Sequence, residues 1–255
     1  MCGRFTLRTS AARLAKWYRD VEFPVLVPRY NIAPTQKVLT LRANQNSDLE
    51  AVMLRWGLVP SWADDLRIGS RMINARSETA ATKPAFRQAF KRRRCLILAD
   101  GFYEWRSING GKQPYLIQKT DPESPLICFA GLWETWHEKK DVTPRATSTV
   151  QSELFPETID AALTSAEATV VETCTILTTS ANSLMSQLHD RMPVILEPTS
   201  QRIWLDPSIE DLQLLSAQLT SYPASQLRMH PVSKAVNKPS VDEIACTVEI
   251  AIKED

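Results

Sequence analysis

The chain has 255 residues, 44% of them apolar, with 30 Lys or Arg against 29 Asp or Glu and a formal net charge of +1. No run of 18 apolar residues and no charged-then-apolar leader occurs, which excludes a helical membrane protein and predicts a soluble, cytoplasmic chain with no membrane partner. Five scattered cysteines without a C-x-x-C pair exclude a disulfide framework and a cysteine zinc site, so no metal and no cofactor are expected.

In chain order, "MCGRF" places Cys2 directly after the initiator. Removal of Met1 would leave Cys2 with a free α-amine beside its thiol, a 1,2-aminothiol that no internal cysteine can form. Ser10 is placed to cap a short helix carrying Leu14, Trp17 and Tyr18 at helical spacing. "KVLTLR" and "AVMLRWGL" read as strands around the loop "ANQNSD". Pro84 is expected to open a second helix, "PAFRQAFKRRR". "CLILA", "PYLIQK", "LICFAGLW", "TCTILTT" and "CTVEIAI" are further strand candidates, most too apolar for a one-sided sheet. "SINGGK" reads as a hairpin turn and "SIEDLQLLSAQL" as an amphipathic helix. Many strands with few helices between them predict an α+β fold, a single compact domain with a mixed, barrel-like β core and peripheral helices. The stretch from about 139 to 172, rich in Thr, Ser, Ala and Glu, reads as a mobile insertion in that domain. Cys95, Cys128, Cys174 and Cys246 lie in apolar runs and read as buried fillers.

Charge is unevenly spread. Arg67 to Arg94 holds nine Lys or Arg against the single acid Glu78, a net of +8; Asp121 to Glu172 holds ten acids against three cations, a net of −7. Such a basic stretch in a near-neutral chain fits a polyanion docking on one face, or simply a solvated helix face.

Three segments put polar groups where strand economy does not require them. "MINARSET" places Asn74 and Arg76 two apart, on one side of a strand. "LADGFYEW" sets Glu104 between Tyr103 and Trp105, where desolvation would raise its pKa toward the acid–base range; the alternative is the wet face of an edge strand. "LHDRMPVIL" holds His189 beside Asp190 and Arg191, a general acid–base candidate or a structural histidine. In "RWGLVPSW", Trp56 and Trp62 could stack on nucleobases or pack the core.

Taken together, "MCGRF", "YNIAPTQ", "RWGLVPSWA", "NARSET", "FRQAFKRRRCLILADGFYEW", "FAGLWE", "TILTTSAN" and "LHDRMPVIL" resemble, in order, the SOS response-associated peptidase (SRAP) family of abasic-site processing proteins. The resemblance implies a compact β-rich fold and a covalent thiazolidine between Cys2 and the aldehyde of an abasic site in single-stranded DNA. It implies Asn74, Glu104 and His189 as the other catalytic residues, and Arg4, Arg76, Trp62 and Pro34 as DNA-binding residues. Self-removal of the leading residue, and hence a peptidase label, is also implied. A monomer is expected, associated with the nucleoid in a bacterium. Two rivals fit parts of the pattern. An N-terminal-cysteine amidohydrolase of the glutaminase type would also begin Met-Cys-Gly, and a non-catalytic single-strand binder would need no Cys2 chemistry.

Overall fold

The computed structural model describes residues 2–108, 111–139 and 169–252. Its strands, in chain order, are β1 (Phe5–Leu7), β2 (Arg29–Ile32), β3 (Lys37–Ala43), β4 (Leu49–Trp56), β5 (Asn74–Arg76) and β6 (Arg94–Ala99). There follow β7 (Gly101–Ile108), β8 (Gly111–Lys119), β9 (Ile127–His137), β10 (Val170–Ser180), β11 (Arg191–Pro193) and β12 (Leu227–Pro231). Five short helices flank them: α1 (Ala11–Trp17), α2 (Ser77–Ala80), α3 (Arg87–Arg92), α4 (Pro198–Leu205) and α5 (Leu212–Ala217).

The most apolar runs of the sequence form one closed ring. β4, β3, β6, β9 and β10 pair antiparallel in that order. β10 then returns to β4 in parallel, with Thr173 opposite Arg55 and Cys174 opposite Trp56. This mixed five-stranded barrel is the predicted β core. All six residues of β6 are buried, so that strand has no wet face and no polar alternation. Leu39, Leu41, Leu54, Trp56, Ile97, Phe129 and Ile176 belong to its core. Gly131 on β9 has no room for a side chain: a Cβ there would lie 2.9 Å from both Cys95 Sγ and Ile97 Cδ1.

A second, antiparallel sheet runs β12–β8–β7–β1–β2. Aromatic rings join it to the barrel. Phe5 and Phe102 each meet Phe129 edge-on, with centroids 5.9 and 5.8 Å apart, and Phe5 lies 5.1 Å from Trp56. A polar clasp holds the C-terminal segment to this sheet. The buried Asn31 donates from Nδ2 to the carbonyls of Val236, Lys238 and Val241, and accepts from Arg4 at Oδ1. Asp242 accepts from the backbone N–H groups of Tyr30 and Asn31 and pairs with Arg29.

Local expectations fared unevenly. Ser10 caps α1, accepting from Arg13 N, and Ser107 opposite Lys112 closes the expected hairpin. Cys95, Cys128, Cys174 and Cys246 are all free and buried. The second helix, however, starts at Arg87 rather than Pro84, because Phe86 N and Arg87 N both turn back to the Lys83 carbonyl and Phe86 keeps a non-helical φ of −124°. The helix expected from Ser208 begins after Asp211, whose side chain caps it, while Ser208 is tied back to Asp206. "CTVEIAI" is not a strand. Ile244–Thr247 forms a 3-10 turn, and pairing with β12 is limited to one bridge, Val232 to Glu249. Pro231 ends β12 without an N–H, offering only the carbonyl that Ile250 N takes. The insertion expected at about 139–172 lies mostly outside the described residues, but its last residues, Val170 to Glu172, already belong to β10 and pair with β9.

Candidate active site

The N-terminus lies along β7. Phe5 opposes Phe102, and Arg4 O accepts from Tyr103 N at 2.9 Å, which brings Cys2 beside Glu104 at the seam between sheet and barrel. Cys2 is fully buried. Burial, and then the charge of Glu104, push its thiol far above the ordinary cysteine range, so at neutral pH it keeps its proton. Its polar contact is weak, Sγ lying 3.9 Å from Arg4 O.

Asn74 approaches from the barrel side. It opens β5, which runs parallel to β10 with Asn74 opposite Ile176. Ala75 is buried, while Asn74 and the exposed Arg76 flank it, as the two-residue spacing requires. Asn74 Nδ2 donates to the Cys2 carbonyl at 2.8 Å. Its Oδ1 is buried with no hydrogen-bond partner among the described residues.

Glu104 and His189 line a cleft of about 380 Å³ with Trp105, Lys112 and Asn237. Glu104 is only 3% exposed. Strand alternation turns Tyr103 to the opposite face, where its hydroxyl donates to Tyr30 O and Cys246 O in a separate small core. Trp105 packs against that core too, and its indole N–H donates to Asn237 Oδ1 at 2.7 Å. His189 follows a 3-10 turn at Met185–Gln187. Its Nδ1 lies 2.7 Å from Asp190 Oδ1 and 3.0 Å from Arg191 N, which occupies that edge of the ring and leaves Nε2 for the cleft. Arg191 in turn grips both oxygens of Glu78, at 2.6 and 2.8 Å, and holds that carboxyl below its usual range. The "NARSET" and "LHDRMPVIL" segments are thereby stitched together. No group of three or more His, Cys, Asp or Glu is placed to hold a metal ion among the described residues, and no helix among them is long and apolar enough to cross a membrane.

Four residues expected at this site thus converge from β1, β5, β7 and the turn before β11. The sequence profile of the SOS response associated peptidase (SRAP) family matches residues 1–239. The chain belongs to the SRAP family. It is similar to the abasic site processing protein YoqW of Bacillus subtilis (38% identity, covering 94% of this chain and 95% of that one). It is 31% identical to the abasic site processing protein YedK of Escherichia coli, over 92% of this chain and 94% of the other. A crystal structure of a protein from Bacteroides thetaiotaomicron shares the fold, with a TM-score of 0.75 at 20% identity, covering 98% of this chain and all of the other.

Around this SRAP site the basic stretch divides. Arg94 is buried and donates to five carbonyls, those of Phe90, Lys91, Trp204, Asp206 and Ile209. Arg93 pairs with Glu134, Arg92 with Glu210 and Arg67 with Asp65. Arg71, Arg76, Lys83 and Arg87 are exposed and form no ion pair among the described residues. Trp62 is 56% exposed, whereas Trp56 is core, its indole donating to Ile73 O. The loop between them is fixed where Gly57, at φ +121°, meets Gly69: a Cβ on Gly57 would sit 2.5 Å from the Gly69 carbonyl. Pro34 is half-buried at the end of β2. Arg4 gives its guanidinium to Asn31 Oδ1 and to the carbonyls of Val236 and Asn237. Trp105, Lys112 and Asn237 are cleft residues that sequence reasoning missed. The Trp of "GFYEW" was visible as a flank of Glu104; Asn237 carries no local signal, because the clasp alone brings it there.

Proposed function

We propose that, once Met1 is removed, the chain processes abasic sites in single-stranded DNA by condensing Cys2 with the open-chain aldehyde. The observation that carries this reading is the Asn74 bond to the Cys2 carbonyl, which holds residue 2 against Glu104. The α-amine, with a reference pKa of roughly 7.7–8.0, is substantially neutral at physiological pH and adds to the aldehyde carbon. The resulting carbinolamine loses water to give an imine, and the thiol then adds to the imine carbon while its proton passes to nitrogen. One water leaves in all, and a five-membered thiazolidine remains. A protonated, buried thiol favours this order, because the amine attacks first.

Glu104 is assigned the proton for the departing hydroxyl. His189 Nε2 serves the sugar hydroxyl on ring opening, and Asn74 Oδ1 accepts from the α-amine. Arg76 and Trp62 take phosphate and base, and Pro34 is assigned to the same DNA-facing set. Arg4 reaches the DNA only with the part of its fork that the clasp leaves free. The test is incubation with an oligonucleotide bearing one abasic site, followed by denaturing electrophoresis. Wild type should give an SDS-resistant adduct and Cys2→Ala should not form the thiazolidine. An equally stable adduct from Cys2→Ala would exclude this chemistry.

A further inference from the structure

Away from the catalytic cleft, the surface around α1 has a build of its own. A pocket of about 330 Å³ opens between α1, α4 and the segment before β9, with Trp17, Leu49, Leu126, Leu196 and Leu205 among its walls. Its volume is in the range of about 300–1,000 Å³ typical of ligand sites. Trp17, a 37% exposed tryptophan, also forms one wall of a neighbouring cleft of about 460 Å³ that contains Arg13 and Lys16. The two depressions therefore meet along one indole ring, apolar on one side and basic on the other. The Arg13 guanidinium lies 5.5 Å from that ring.

The rim holds more cations than acids. Arg13, Lys16 and Arg202 are exposed and make no ion pair among the described residues. The acids present are Glu197, 3.9 Å from Lys119 and bonded to the Tyr222 hydroxyl, and Glu123 at the edge of the basic cleft. None of these residues belongs to the catalytic cleft or the basic stretch after Arg67. A free nucleic acid would need a continuous basic track, whereas three cations clustered beside an apolar hole suit a shorter anion with an apolar end.

From this juxtaposition we infer that the α1 face is a docking site for a short acidic peptide segment carrying an aromatic or aliphatic anchor. The anchor fills the pocket behind Trp17, and the carboxylates face Arg13, Lys16 and Arg202. Recruitment by such a segment of another protein would leave the DNA-processing cleft open.

The test uses the full chain and a fluorescein-labelled Asp-Asp-Asp-Asp-Leu-Phe peptide, read by fluorescence anisotropy. Saturable binding that weakens with salt is expected. Replacing Leu-Phe by Ser-Ser, or the aspartates by asparagines, should weaken it, and Lys16→Glu with Arg202→Glu should cost about tenfold or more in affinity. Trp17→Ala should weaken it as well, with far-UV circular dichroism and abasic-site crosslinking unchanged in each variant. No saturation would overturn the inference. So would equal binding of the Ser-Ser peptide, equal binding of the asparagine peptide (a pocket for neutral apolar ligands), or indifference to the two charge reversals.

Discussion

Within the barrel, Thr40 and Thr173 donate their hydroxyls to the carbonyls of Val52 and Glu134, and Trp204 shares its indole N–H between Cys95 O and Gly131 O. Thr175 Oγ1 and Arg55 Nε are the exceptions there among the described residues. At the seam, Asn74 ties one atom and buries another acceptor unmatched, and Cys2 has only a long sulfur contact. A buried polar atom without a partner costs stability, on the order of 1–3 kcal/mol. The barrel meets that rule at most of these positions, and the seam departs from it where the proposed chemistry needs a vacant acceptor. On that proposal, mutation should be able to separate stability, held in the barrel, from reactivity at the seam.

The sharpest separation should come from Glu104→Gln. Crosslinking should slow by about 10²–10⁴-fold where proton transfer limits the step, with DNA affinity retained. Release of a preformed adduct should slow alike, since the same group serves both directions; time courses of formation and of transfer to competitor DNA measure both. On the barrel side, Arg94→Met removes the donors from five carbonyls and should cost about 3 kcal/mol or more in urea unfolding. The rate of crosslinking by the remaining folded fraction should stay unchanged.

Alkaline pH tests both halves at once. Burial raises the thiols of Cys2, Cys95 and Cys174, and takes that of Cys128 to about 11. The unfolded chain releases these protons near a pKa of about 8.5, so stability is whole below that pH and falls as pH rises above it. Each thiol contributes about 1.4 kcal/mol per pH unit until its own folded pKa is reached. Urea melts between neutrality and the alkaline range should show the fall, and Cys2→Ala should remove only the seam's share. The smallest effect belongs to Arg76→Ala. Stability should change by less than about 0.5 kcal/mol, while binding to single-stranded DNA weakens evenly across sequences and its salt slope drops by about 1.

The same division decides what the sequence made legible. "KVLTLR", "AVMLRWGL", "CLILA", "LICFAGLW" and "TCTILTT" are the five barrel strands, readable because they are long apolar runs, which in β6 are buried on both faces. β1, β2 and β11 escaped notice because three or four residues cannot show a period, and β2 and β11 carry Asn31 and Arg191 in place of apolar side chains. The proposed catalytic quartet was legible by resemblance and by the oddity of polar groups in those segments. Its neighbours Asn237 and Lys112 were not, since long-range contact alone puts them there. The basic count was half misleading: charge summed along the chain merges Arg94, a brace for carbonyls, with Arg76, an exposed cation.

The clasp has a consequence in time. Arg4 and Asn31 are held by Val236, Asn237, Lys238 and Val241, so the sheet over Cys2 is secured only when those last segments exist. At about 5–20 residues per second, a ribosome needs roughly ten to fifty seconds to reach them. The proposed chemistry needs Met1 trimmed, and throughout that interval the start of the nascent chain lacks this cover and is open to the enzyme that does so.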